Sequence, residues 1–199
     1  MNIAVDLDGV LWDLMQELCR VHNAVNDDNK KVTDIDDWSF FDKWHITEKE
    51  FVSMLNIIKL KDVPIIDSKA HKYLKKLQKY GTVDILTARR EETRGEVIDK
   101  LESMKIYEGK HYESLIIVPY HPYDVKINYQ YDVYIDDSPR LADTIKVYNL
   151  EENERKFLFL WNQPWNWKIE SSQRVKRVNG WKDIINGMIK YFTLPTFIY

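Results

Sequence analysis

The segment "DLDGVLWD", residues 6–13, closes a short apolar run with Asp6 and Asp8. Two carboxylates one residue apart at such a place can supply a nucleophile and a proton carrier. Two further apolar runs end on reactive residues: "DIL" leads into Thr87, and "VYI" into Asp136 and Asp137. If these runs are parallel strands of one open sheet, all the groups meet at its carboxyl edge, where such sheets bind ligands. Four carboxylates cannot converge there uncompensated, because their repulsion would drive some into the protonated form. A hard divalent cation with oxygen ligands resolves the conflict, and Mg²⁺ fits that description. The assembly suits phosphoryl chemistry. Asp6 would attack phosphorus to form an aspartyl-phosphate. Asp8, on the same side of the strand, would protonate the leaving oxygen and then help deprotonate water. Thr87 would hydrogen-bond a phosphoryl oxygen, while the metal and a lysine offset the phosphate charge.

The elements that must position these groups are legible from periodicity. "NIAVDLD", "TVDILTA", "SLIIVP", "YDVYIDD" and "KFLFLW" read as buried strands. Leu14, Leu18, Val21 and Val25 recur at helical spacing. Thr47 and Glu50 form a capping-box pair, and Ser138 with Pro139 marks another helix start. "SKAHKYLKKLQKYG", "ETRGEVIDKLESM" and "GWKDIINGMIKYF" complete the helices. Strands alternating with helices predict a mostly parallel sheet covered on both faces. The expected class is α/β: a Rossmann-like parallel sheet core, residues 1–13 and 79–199, with a small helical cap, 14–78, inserted after the first strand.

Composition sets the broad limits. The 199 residues are 44% hydrophobic and 31% charged, ordinary for a folded domain, and the net charge of −3 predicts neither a nucleic-acid-binding nor a membrane-binding surface. Cys19 is the only cysteine, so no intrachain disulfide and no cysteine-held zinc can form. The five histidines lack ligand spacing. The N-terminus has no basic flank with a long apolar stretch, and no run reaches membrane-spanning length, so a cytoplasmic location is expected.

"DLDGVLWD", "ILTAR" and "YIDDSPR", in that order, resemble motifs one, two and four of the haloacid dehalogenase superfamily. Within it, the "DGVLWD" opening, the helical insert placed after it, and the later "NQPWN" and "RVNGWKDI" segments are similar to the 5'(3')-deoxyribonucleotidase group. The resemblance implies a Mg²⁺-dependent phosphomonoesterase acting on 5'-nucleotides, deoxyribonucleotides included. It makes Asp6 the nucleophile, Asp8 the acid/base and Thr87 the phosphate ligand. It makes Asp136 a magnesium ligand beside Asp6 and the main-chain carbonyl of Asp8. It points to Lys126 as the third-motif lysine, because it shortly precedes the "IDD" strand. Adjacent strand residues point opposite ways, so Asp137 is expected to bind the ion through water or to orient the site. Dehalogenases of the superfamily lack an acid/base at the position of Asp8, and transport ATPases carry threonine there; Asp8 therefore favours a phosphatase or phosphotransferase.

Other residues keep two readings. Trp12 and Phe41 are the candidates for stacking on a nucleobase, against a packing role in the small core of the cap. Arg89 contacts substrate phosphate or sugar, or forms a salt bridge with a neighbouring helix. "RVKR" and "KKLQK" read as solvated faces, and "NQPWNW" as a rigid loop against the catalytic face. The tail "LPTFIY" docks on its own domain or makes a homodimer contact. Three rival functions remain: a phosphatase of another small metabolite, an idle phospho-ligand-binding protein, and a phosphatase of nucleic-acid ends. The last would require a basic groove.

Overall fold

In a computed structural model, residues 1–38, 40–120, 125–151 and 156–192 are described. Six strands, β1 (Asn2–Val5), β2 (Thr82–Ala88), β3 (Leu115–Val118), β4 (Val133–Asp136), β5 (Phe157–Trp161) and β6 (Val175–Val178), form one sheet in the order β3-β2-β1-β4-β5-β6. Every neighbouring pair is parallel. The helices in chain order are α1 (Leu14–Asn26), α2 (Phe40–Lys43), α3 (Glu48–Ile57), α4 (Ala70–Leu77), α5 (Arg94–Ser103), α6 (Pro139–Glu151) and α7 (Trp181–Phe192).

Strand alternation sorts the core into two layers. Ile3, Val5, Val133 and Ile135 pack with apolar residues of α4, α5 and α7 on one face, while Ala4, Tyr134 and Leu158 pack under α6 on the other. Nearly continuous apolar strands are what a sheet buried on both faces requires. A third cluster joins Leu18, Val21, Ile35, Phe40, Trp44 and Met54 of the inserted segment, and Trp165 from far along the chain enters it. The two linkers of the insert run side by side, Asp13 N–H donating to Pro64 O and Ile66 N–H to Leu11 O.

The expected insert of 14–78 divides between these layers. Residues from α1 to Ile58 build the third cluster, whereas Ala70, Leu74 and Leu77 of α4 belong to the layer under the sheet. An amphipathic period reads the same whichever body it packs against, so the sequence does not reveal this division.

"RVKR" is not a solvated face: Val175–Val178 is the edge strand β6, with both valines buried. Two basic residues inside four hide an edge strand, and the Arg177 guanidinium is occupied by the Asn166 and Ile169 carbonyls at 2.6 and 2.8 Å. The capping box forms as expected, Thr47 Oγ1 accepting from Glu50 N–H and Glu50 Oε2 from Thr47 N–H. Leu141 N–H donates to Ser138 Oγ at the start of α6. The tail "LPTFIY", with its expected dimer or docking role, lies outside the described residues. Among the described residues no helix is long and apolar enough to cross a membrane.

Candidate active site

The strand order reverses direction at β1, which has β2 on one side and β4 on the other. Such a switch point opens a crevice beyond the carboxyl ends of the strands. Val5 pairs with Ile135, and Asp6 N–H extends the ladder to Ile135 O at 2.9 Å. Continuing that register sets Asp6 beside Asp136. Alternation sends both side chains toward the layer of Ala4 and Tyr134, where the short turn Val125–Asn128 delivers Lys126.

Lys126 Nζ lies 2.9 Å from Asp6 Oδ2 and donates to Asp136 Oδ2 at 2.7 Å, with all three side chains buried. Burial alone would lower the ammonium pKa, but the Asp136 and Asp6 carboxylates win and raise it. Asp6 responds in the opposite sense. Burial pushes its carboxyl up to about 7 against the pull of Lys126, with Asp136 and Asp8 adding repulsion. Asp137 is also raised well above the ordinary carboxylate range, by burial first and then by Asp136 and Asp6. One cation does not compensate three buried acids.

Asp6, Asp136 and Asp137 each offer a carboxylate oxygen, all within 4.8 Å of one another. Asp137 joins this group because strand alternation stops where β4 ends, at Asp136. Its Oδ2 accepts from Trp165 Nε1 at 3.1 Å, and its carbonyl from Asn166 Nδ2 at 2.8 Å. The donor set is all oxygen, buried and under-compensated, which fits a hard divalent cation. Asp6 Oδ1 is buried with no partner among the described residues, and so is Thr87 Oγ1 at the end of β2. Buried polar atoms are rarely orphaned unless a bound group completes them.

Asp8 stands apart from the trio, its side chain 24% exposed. Its Oδ1 accepts from Trp12 Nε1 at 2.7 Å and from Arg89 Nη2 at 2.5 Å. Trp12 is fully buried and reaches the site through its indole N–H, not through an open ring face. Arg89 forms its ion pair with Asp8 in the site, not with a helix, and its Nε is buried without a partner among the described residues. Phe41 packs within the insert, its ring centroid 4.4 Å from Phe40 and 4.7 Å from Phe51.

The "NQPWNW" loop packs against this face, but its individual contacts are not signalled locally: Gln163 Nε2 donates to Gly9 O at 2.7 Å, and Asn166 and Trp165 fasten Asp137, so the loop ties the segments after β1 and β4 together. Gly9 sits at φ +75°, and a Cβ there would fall on the Asp137 carboxylate. The "DG" pair signals a turn, but nothing local signals that contact. Gly9→Ala is expected to lower the melting temperature by roughly 2–8 °C, because the left-handed backbone alone costs about 1–2 kcal/mol and each kcal/mol is worth about 2–4 °C at this size. Displacement of Asp137 should also weaken divalent-ion binding, which titration calorimetry would read.

A parallel sheet in this order, with buried aspartates at the ends of β1 and β4, a hydroxyl at the end of β2 and a helical insert behind the first strand, is the arrangement that the haloacid dehalogenase-like motifs of the sequence imply. Solved structures share this fold. A predicted phosphatase from Clostridium acetobutylicum matches with a TM-score of 0.59 at 13% identity, over 95% of this chain and 98% of that one. A haloacid dehalogenase-like hydrolase from Burkholderia xenovorans gives 0.58 at 16% identity, over 96% and 98%. A superfamily hydrolase of subfamily IA from Geobacter sulfurreducens gives 0.52 at 12%, over 94% and 95%. No curated protein matches the sequence. Residues 1–192 do match one family, and the chain belongs to it: 5' nucleotidase, deoxy (pyrimidine), cytosolic type C protein. It is accordingly a phosphoric monoester hydrolase of the 5'-nucleotidase type.

Proposed function

We propose that the chain hydrolyses the 5'-phosphate of nucleotides, deoxyribonucleotides among them, in a Mg²⁺-dependent reaction through an aspartyl-phosphate on Asp6. The observation that carries this reading is the pair of orphaned buried atoms, Asp6 Oδ1 and Thr87 Oγ1, beside a lysine already bonded to two aspartates. Asp6 attacks phosphorus, Thr87 donates to a phosphoryl oxygen, and Lys126 offsets charge while holding Asp6 and Asp136 in register. Asp8 gives a proton to the departing oxygen and takes one from the attacking water. Asp6, Asp136 and Asp137, with the main-chain carbonyl of Asp8, would hold Mg²⁺, which when bound neutralises phosphoryl charge.

The nucleoside is assigned to the cleft between the insert and the core, lined by Leu14, Leu55, Asn56, Arg90 and Tyr120. Tyr120 is 46% exposed and is the aromatic ring of that lining. The cap is taken as the segment from residue 14 to the linker at 64, closing over substrate to exclude water. The family description and the single buried cysteine support a cytoplasmic setting. A mildly acidic chain favours a small-molecule substrate over nucleic acid.

A second reading, a phosphatase of another small metabolite, is favoured by one observation: Phe40 and Trp44 are buried within the insert itself instead of lining an aromatic slot. Turnover of ribo- and deoxyribonucleoside monophosphates and of sugar phosphates, with and without Mg²⁺, separates the two. Base stacking worth about 1–3 kcal/mol predicts a kcat/KM advantage of about 5- to 150-fold for nucleotides. Equal rates on sugar phosphates would transfer the site to the second reading. Activity untouched by chelation would remove the metal.

A further inference from the structure

The mechanism requires Asp8 to exchange a proton with the leaving group, yet its carboxyl is not free to turn. Among the described residues, the donors that reach it both end on one oxygen, Oδ1: Trp12 Nε1 at 2.7 Å and Arg89 Nη2 at 2.5 Å. Trp12 is fully buried and pinned by its backbone bridge to Ile65. The Arg89 side chain is only 9% exposed, and its guanidinium carbon lies 5.8 Å from the centre of the Trp12 ring. The three side chains therefore fix one another, and the two donors come from separate elements, the first loop and the end of β2.

We propose that Trp12 and Arg89 are positioning residues that clamp Asp8 by Oδ1, so that Oδ2 alone carries the proton used in catalysis. The inference rests on the phosphomonoesterase reading above and assigns two residues to the service of its acid. An oxygen that accepts two hydrogen bonds has both lone pairs engaged, which leaves Oδ2 as the oxygen open to the leaving group. In the first half-reaction an Asp6 oxygen bonds to phosphorus and the bond from phosphorus to the leaving oxygen breaks. The electron pair stays on that oxygen, which takes the proton from Asp8 Oδ2. In the second half, water attacks phosphorus and gives a proton to Oδ2, and the bond from phosphorus to Asp6 breaks to release phosphate. A carboxyl free to rotate would offer the wrong oxygen for part of the time and lose alignment for the rest.

This role differs from phosphate binding, the alternative for a cation at Arg89, in one measurable way. An acid matters only when the leaving group needs a proton. A nucleoside leaves as an alkoxide and needs one; dinitrophenolate does not.

The test compares kcat/KM, which reports the steps up to leaving-group departure, for a simple alkyl phosphate without a nucleoside, such as ribose 5-phosphate, and for dinitrophenyl phosphate. The variants are Trp12→Phe and Arg89→Met, with Asp8→Asn as the reference. For both clamp variants we expect kcat/KM on the alkyl ester to fall about 30–100-fold. On the aryl ester it should fall less than about threefold, and the inhibition constant for inorganic phosphate should stay within about twofold. Equal losses on the two esters, or a phosphate inhibition constant that rises with the loss on Arg89→Met, overturns the clamp. If Asp8→Asn itself shows no difference between the esters, the assignment of Asp8 as the acid fails, which is distinct from a failure of the clamp alone. Should the buried Trp12→Phe variant not fold, Arg89→Met decides the matter, with Arg89→Lys expected to recover at least about a third of the lost discrimination by restoring a charged donor.

Discussion

Asp6→Asn is expected to abolish phosphomonoester hydrolysis, with kcat falling by about four orders of magnitude or more, the scale seen when a covalent nucleophile is removed. The proposed reaction passes through a covalent phosphate on Asp6, so acid quench of the wild type during turnover should trap phosphate on protein, and the variant should trap none. The variant should not lose stability. Burial lifts the Asp6 carboxyl from 3.8 to about 7. Between those values the folded chain holds a proton that the unfolded chain has lost, so stability falls as pH rises through that window and is lowest above it. A neutral amide of the same shape escapes this penalty. At pH 8 without divalent ions the variant should melt no lower than the wild type. Retained activity on an aryl phosphate in Mg²⁺ would show that another group attacks phosphorus.

Lys126→Met carries the second large effect, and here stability is the first readout. Lys126 is the cation that pairs with two buried carboxylates, Asp6 at 2.9 Å and Asp136 at 2.7 Å. Removing one side of a buried ion pair costs about 3–5 kcal/mol, because charges are left without compensation. At about 2–4 °C per kcal/mol for a chain of this size, the melting temperature at pH 8 should drop by roughly 6–20 °C. Mg²⁺ should recover more of the melting temperature in this variant than it adds to the wild type, since it replaces part of the missing charge. Hydrolysis should fall by about 10²–10³ in kcat, the range for loss of one charge-stabilising donor. A melting temperature within 2 °C of the wild type would mean that the carboxylates take up protons instead of relying on the lysine.

The β1, β2 and β4 termini were legible because buried parallel strands are nearly unbroken apolar runs, and a polar residue at the end of such a run stands out. Asp6, Thr87 and Asp136 are all of this kind. The class of fold follows from the same runs alternating with helical periods. β6 was not legible, because Lys176 and Arg177 interrupt its only two valines and their charge signals solvent. The division of the insert was not legible either, since the apolar face of α4 does not say which layer it meets. The tie between Asp8 and Arg89 spans 81 residues, and that between Gly9 and Gln163 spans 154. Contacts at that separation leave no local pattern. Trp12 illustrates the limit most plainly: an indole beside the Asp6–Asp8 turn suggests a flat surface for a base, but the ring is fully buried and meets Asp8 through its N–H.

Trp165 belongs to two bodies at once. Its ring packs in the apolar cluster of the insert, 5.8 Å from Trp38, while its N–H holds the carboxylate of Asp137. Any hinge motion that lifts the insert must either peel Trp38 from that ring or drag the indole off the aspartate. On the proposed cap motion and ion site, admission of a ligand and readiness of the ion cradle would thereby be geared together, so that a wide gape would disarm the site.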